Sequence, residues 1–214
     1  MRLLLIRHAQ TVWNAAGRVQ GQADPPLSEL GVDQTRRLRE RVRGLRLAAL
    51  FSSDLERARL TAEAVSAATG TPVTLEAGLR EVGLGRWEGI DRDTLRRDYP
   101  DLLEAWIREP SWDMVPDGEG AGPFRARVLA ALGRLVRDRR DDETVAVVTH
   151  IGVIRLVLSM AAGLEPMGLH WPWAIDNTAI TTLVGPADVS SWHTPALTVT
   201  AVNDSSHLRP AVAV

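Results

Sequence analysis

Three short apolar runs along the chain stop abruptly at polar residues. Residues 3–6 lead into Arg7 and His8, residues 48–51 into Ser52, Ser53 and Asp54, and residues 145–148 into Thr149 and His150. Unbroken apolar runs of this length predict strands buried on both faces, with the working end of each at its carboxyl side. Helical patterns lie between them: residues 28–46, opened by Ser28 as an N-cap; residues 55–69; residues 123–139; and residues 153–162, closed by Gly163. Strand alternating with helix predicts an α/β fold, a mostly parallel central sheet with helices on both faces. Residues 178–184 and 196–202 have period two and are rich in β-branched side chains, which predicts further strands forming an antiparallel edge.

Residues 83–122 break the alternation. They hold Trp87, Trp106 and Trp112, two short helical pieces bounded by proline, and a Pro116-Asp117-Gly118 turn. The segment reads as a small helical lid inserted into a single domain spanning residues 1–214, because two full domains would be cramped at this length.

Composition narrows the function classes. With 45% hydrophobic and 24% charged residues the chain can bury a sizeable core. A formal charge of -2 argues against a nucleic-acid partner, whose affinity needs clustered excess positive charge. The arginines within residues 36–46 read as the solvated side of a helix. Absence of cysteine excludes disulfides, thiolate catalysis and Cys-ligated zinc, and leaves the redox compartment open. Only four apolar residues precede Arg7, too few for a signal-peptide core, and no stretch is long enough to span a bilayer, so a cytoplasmic protein without a membrane partner is expected.

Ligands of open α/β sheets sit beyond the carboxyl ends of the strands, so Arg7, His8, Arg57 and His150 are expected to converge. Two guanidinium forks and two imidazoles around one point suit a phosphoryl group. Nearby positive charge pushes a histidine towards its neutral form, and a neutral imidazole nitrogen can attack phosphorus; His8 is the candidate nucleophile. Glu81, at the mouth of the lid, is the candidate acid that protonates the leaving oxygen. Taken singly, each residue has an ordinary alternative: a histidine at a strand end packs or caps, and a helical arginine such as Arg57 pairs on the surface.

The wording around these residues changes that balance. Leu5-Ile6-Arg7-His8-Ala9-Gln10-Thr11 with Asn14 resembles the Arg-His-Gly-Glu-Thr signature of the histidine phosphatase superfamily, the phosphoglycerate mutase-like fold. Gly21 through Leu27-Ser28-Glu29-Leu30-Gly31, then Ser52-Ser53-Asp54-Leu55-Glu56-Arg57-Ala58, are similar to the family's next two motifs. Leu79-Arg80-Glu81-Val82-Gly83-Leu84-Gly85-Arg86-Trp87-Glu88-Gly89 resembles the acid motif of its phosphatase branch, and Pro116-Asp117-Gly118-Glu119 and Val147-Val148-Thr149-His150 follow in order. The resemblance implies a phosphohistidine on His8, phosphate held by Arg7, Arg57 and His150 with Asn14 and Gln20 lining the pocket, Glu81 as proton donor, and no cofactor. It implies hydrolysis of a small phosphorylated metabolite with inorganic phosphate as product. Broad-specificity substrates, α-ribazole phosphate and glucosyl-phosphoglycerate are open alternatives, and relatives form monomers and dimers, so an exposed C-terminal edge strand leaves a homodimer open.

Rival readings are a phosphoglycerate mutase, which returns the phosphate to a sugar acid, and an inactive phosphate-binding module. Four positions depart from the family wording: Ala9, Gln10, Gly120 and Ile151. Were positive φ required directly after His150, the β-branched Ile151 would be strained. Glu88 reads first as a structural acceptor and otherwise as a second carboxylate of an acid-base pair. His170, His193 and His207 lack metal-ligand spacing, so no metal is expected, and His207 reads as structural near the first strand. The tryptophans read as packing residues; should Trp106, Trp112 or Trp171 face the cleft, a substrate with an apolar or sugar body is implied.

Overall fold

The computed structural model describes residues 1–109, 111–164, 174–188 and 197–209. Six strands form one mixed sheet: β1 (Arg2–Arg7), β2 (Ala49–Ser52), β3 (Val73–Leu75), β4 (Thr144–Thr149), β5 (Ile180–Val184) and β6 (Thr198–Asp204), in the order β3-β2-β4-β1-β5-β6. β1 to β4 pair in parallel, whereas β5 and β6 run antiparallel at one edge, as period-two patterning predicts. Ala196, the expected start of the last strand, lies outside the described residues. The helices are α1 (Val12–Ala15), α2 (Glu29–Val42), α3 (Glu56–Thr69), α4 (Arg92–Asp98), α5 (Pro100–Arg108), α6 (Ala121–Val136) and α7 (Ile151–Ala161).

Alternation along the buried strands explains the unbroken apolar runs. Leu4, Ile6, Ala146 and Val148 point to one face, where Leu38 and Val42 of α2 and Ala58, Ala62 and Val65 of α3 cover them. Leu3, Leu5, Val145 and Val147 point to the other, against Val128 and Leu132 of α6 and Val153 and Val157 of α7. Both faces are dry, so neither half of the alternation needs a polar residue.

The structure departs from the predicted bounds where local chemistry intervenes. α2 stops at Val42, short of residue 46, because Arg43 leaves helical geometry and Gly44 turns the chain at φ +80. β3 carries no run in the sequence: three residues, two of them exposed, are too short and too wet for the pattern. Residues 83–122 contain the two expected short helices, α4 and α5, with Pro100 opening the second. Trp106 on α5 meets Trp87 edge-on at 6.0 Å and Trp112 at 6.3 Å, which ties this segment to the core as packing aromatics would. His170, Trp171, Trp173 and His193 lie outside the described residues. Among the described residues no helix is long and apolar enough to cross a membrane.

Candidate active site

Arg7 ends β1 and Thr149 ends β4, and the two strands are adjacent, parallel and paired Arg7 to Thr149. Their next residues, His8 and His150, are therefore side by side, with ring centroids 5.1 Å apart. Arg57 arrives from the first turn of α3, which follows β2 on the far side of β4. Arg7, His8, Asn14, Gln20, Arg57 and Glu81 all line one cavity of about 810 Å³. His150 stands behind it, fully buried, with Nε2 2.8 Å from Ser53 Oγ.

The guanidinium groups are fixed before any anion arrives. Arg57 donates to the carbonyls of Ala23 at 2.6 Å and Gly21 at 2.7 Å and reaches Asp24 at 3.3 Å. Arg7 donates to the Ile175 carbonyl at 2.5 Å. Nε of both arginines and Nδ1 of His150 are buried without hydrogen-bond partners. Orphaned guanidinium N–H groups of this kind are costly, and an oxyanion is a group that could accept from them. Burial brings Arg7 down to about 10, so it stays charged near neutrality.

His8 has a defined tautomer. Its Nδ1 is 2.7 Å from the Ala9 carbonyl oxygen, which can only accept, so Nδ1 carries the proton and Nε2 the lone pair. Burial first, then Arg57 and Arg7, hold the imidazole well below its ordinary pKa. His150 is lowered in the same way, by burial, then Arg57 and His8. Both rings are therefore held neutral near physiological pH, and Nε2 of His8 keeps a free lone pair with no base needed to expose it.

Glu81 is buried opposite. Its Oε1 accepts from the Val82 N–H at 3.0 Å and its Oε2 from the Gly152 N–H at 3.1 Å, in the first turn of α7. Here the concern over Ile151 is corrected. Ile151 is the first residue of α7, has no positive φ, and lines the cavity. The position where a side chain would displace the carboxylate is the next one: a β-carbon on Gly152 would sit 2.1 Å from Glu81 Oε1. Gly152→Ala is expected to push the carboxylate aside and lower kcat/KM by about 10²-fold, since a misplacement of ångström size costs that much. A melt close to wild type should accompany it; unchanged kcat/KM would show that the carboxylate position is not critical.

A model of the histidine phosphatase superfamily (branch 1) matches residues 3–195. The chain belongs to that superfamily. Phosphoserine phosphatase 1 of Hydrogenobacter thermophilus is 32% identical over 179 residues, 84% of each chain. A Citrobacter koseri protein named "Probable phosphoglycerate mutase GpmB" is also 32% identical, over 97% of this chain and 95% of its own. Among solved structures, mycobacterial glucosyl-3-phosphoglycerate phosphatase, in complex with VO3, superposes with a TM-score of 0.80 at 30% identity, covering 94% of this chain and 98% of that one. The mixed sheet is thus the phosphoglycerate mutase-like fold.

In this histidine phosphatase chain one side chain that braces the candidate site carries no signal in the sequence. Arg127 on α6 donates to both oxygens of Glu119 at 2.7 Å and to the carbonyls of Gly78, Arg80 and Glu81. Glu119 in turn accepts from the Gly83 N–H at 3.1 Å, so the pair stitches down the backbone that carries Glu81. The family motif pointed to Glu119, but nothing local marks Arg127. Arg155, one turn into α7, also lines the cavity; burial lowers it and Glu81 raises it.

The remaining residues fall to their quieter readings. Glu88 accepts from the backbone N–H groups of Gln22, Ala23 and Leu84, and Gly21 passes so close that a β-carbon there would stand 2.1 Å from its Oε1. That structural clamp shapes the loop whose carbonyls hold Arg57. Asn14 Oδ1 accepts from the Thr11 N–H, and Gln20 Oε1 from the Thr11 hydroxyl, so the NH2 of each is what it can offer the cavity. His207 Nε2 is 3.0 Å from Thr178 Oγ1, and Thr178 donates its N–H to the Arg7 carbonyl, beside the first strand as expected. Ala9 is fully buried without positive φ, so its methyl is tolerated.

Two neutral buried histidines set a pH dependence of stability. Their folded pKa values lie below the free value of 6.5, so under that pH the unfolded chain takes up protons that the folded chain refuses. Stability is therefore expected to fall as pH drops below about 6.5, by roughly 1.4 kcal/mol per pH unit for each histidine. Chemical denaturation in phosphate-free buffer at a series of pH values measures the slope, which should be shallower in His8→Ala; a flat profile there in the wild type would count against neutral histidines.

Proposed function

We propose that this chain is a phosphomonoester hydrolase that works through a phosphohistidine. The Nε2 lone pair of His8 attacks phosphorus and the P–O ester bond breaks, with Glu81 giving its proton to the leaving oxygen. Water then attacks the phosphohistidine, Glu81 takes a proton from it, the N–P bond breaks, and inorganic phosphate leaves. Arg7 and Arg57, with His150 behind them and the amides of Asn14 and Gln20 at the edge, hold the equatorial oxygens. The observation that carries this reading is the Nδ1–H bond of His8 to the Ala9 carbonyl, which aims chemistry at Nε2 among two fixed guanidinium groups.

Phosphatase names among the relatives favour water as the acceptor, and the mutase-named Citrobacter koseri protein keeps a sugar acid as the second reading. Residues 83–122 act as the lid, and the substrate has a sizeable apolar or sugar body. Trp106, Trp112, Leu103 and Ile107 line a cavity whose volume lies in the range that takes drug-sized ligands. Among the described residues no three of His, Cys, Asp and Glu gather as a metal site. The chemistry above needs none.

Release of p-nitrophenol from its phosphate ester, undiminished by EDTA, is the expected result. A panel of phosphorylated metabolites, scored for both free phosphate and transferred phosphate, separates hydrolase from mutase. No turnover at acidic and neutral pH would favour a binding module, and loss in EDTA restored by a divalent cation would overturn metal independence.

A further inference from the structure

One buried side chain close to the nucleophile has no part in the chemistry above. Gln34, in the middle of α2, is 7% exposed, and its Oε1 accepts from the Gln10 N–H at 2.9 Å. That N–H belongs to the same peptide group as the Ala9 carbonyl that receives the His8 Nδ1–H at 2.7 Å. The three groups form a line: imidazole N–H to peptide oxygen, and peptide N–H to side-chain amide oxygen. A peptide bonded at both ends is polarised, and each bond strengthens the other.

α2 is built to hold that line. Ser28, Gly31 and Gln34 recur every three residues, so they share a face. Ser28 donates its N–H to the Gln10 carbonyl at 2.9 Å and its hydroxyl to Gln10 Oε1 at 2.8 Å. A β-carbon on Gly31 would stand 2.0 Å from the Gln10 carbonyl oxygen, so the helix touches the loop backbone directly. From the other side, Thr61 on α3 accepts the Ala9 N–H at 2.9 Å.

We propose that Gln34 is a positioning residue for His8, acting through the Ala9–Gln10 peptide to fix the ring's tautomer and tune its basicity. This rests on His8 being the nucleophile. A neutral acceptor suits that role, because a carboxylate bonded to the imidazole, as in a serine protease triad, would favour imidazolium and remove the lone pair. The charged and titratable groups that face the ring come from other elements: Arg7 on β1, Arg57 on α3, the neutral His150 after β4, and Glu81 and Arg155 across the cavity. Asp33 and Arg37 of α2 pair with each other on its exposed side.

The test is the pH profile of kcat/KM for p-nitrophenyl phosphate in the full chain. Gln34→Glu keeps an acceptor and adds negative charge at the end of the line; its acidic limb should move up by roughly half to one pH unit. Gln34→Leu removes the acceptor and should lower kcat/KM by about 10 to 100-fold, the usual loss when an orienting partner is removed. In 15N spectra of the His8 ring, the Nδ1-protonated signature should weaken in Gln34→Leu. Profiles of both variants that superpose on wild type, with any loss uniform in pH, would overturn the proposal and leave Gln34 as a packing residue. Gln34→Glu decides alone should Gln34→Leu fail to fold. If His8→Ala kept its turnover, the hydrolase mechanism and this inference would fall together; a dead His8→Ala with unaltered Gln34 profiles removes only the inference.

Discussion

His8→Ala is expected to lower kcat by about 10⁴-fold or more, because removing the attacking atom of a covalent route leaves only binding and electrostatic stabilisation. Binding should survive. Arg7 and Arg57 are held by the carbonyls of Ile175, Gly21 and Ala23, none of which depends on the imidazole. Phosphate affinity measured by calorimetry should therefore stay within roughly tenfold, since the Nδ1-protonated imidazole presents a lone pair, not a donor, to the anion. Wild-type protein mixed rapidly with a 32P-labelled ester should carry label that is released by acid and kept in alkali, as a phosphoramidate requires, and His8→Ala should carry none. Turnover retained within tenfold of wild type, or acid-stable label, would remove His8 as the nucleophile.

That expectation was already legible in the sequence, because the features behind it are written in consecutive residues. Runs at residues 3–6 and 145–148 end in His8 and His150, and burial of both sheet faces makes such runs unambiguous strands. Once two parallel neighbours are in register, the residues after them must meet. What sequence could not supply was contact across elements with no periodic signal. Ile151 is a hazard only where positive φ is required directly after His150, whereas α7 begins at once and the close approach falls on Gly152. Arg127 sits on a helix that reads as ordinary, yet it binds three carbonyls of the segment bearing Glu81. Val73, Thr74 and Leu75 form a strand only because β2 offers an open edge. Each of these depends on a partner dozens of residues away, so no local window contains the signal.

Glu81→Gln should split the two chemical steps according to the leaving group. An alkyl ester must receive a proton as it departs, so its hydrolysis is expected to fall by about 10² to 10⁴-fold, the usual worth of a placed general acid. p-Nitrophenolate leaves without help, so phosphorylation of His8 by its ester should remain fast while attack of water, which still needs Glu81 to take a proton, becomes slow. Stopped-flow mixing should show a burst of about one p-nitrophenol per site followed by slow turnover, with no burst from an alkyl ester. The amide keeps only one of the two acceptors now used by the Val82 and Gly152 N–H groups, so some disturbance of the loop is built into the variant. That disturbance would depress both esters alike. Equal losses on alkyl and aryl esters with no burst would therefore mean that Glu81 serves to anchor the start of α7, and that the proton comes from elsewhere.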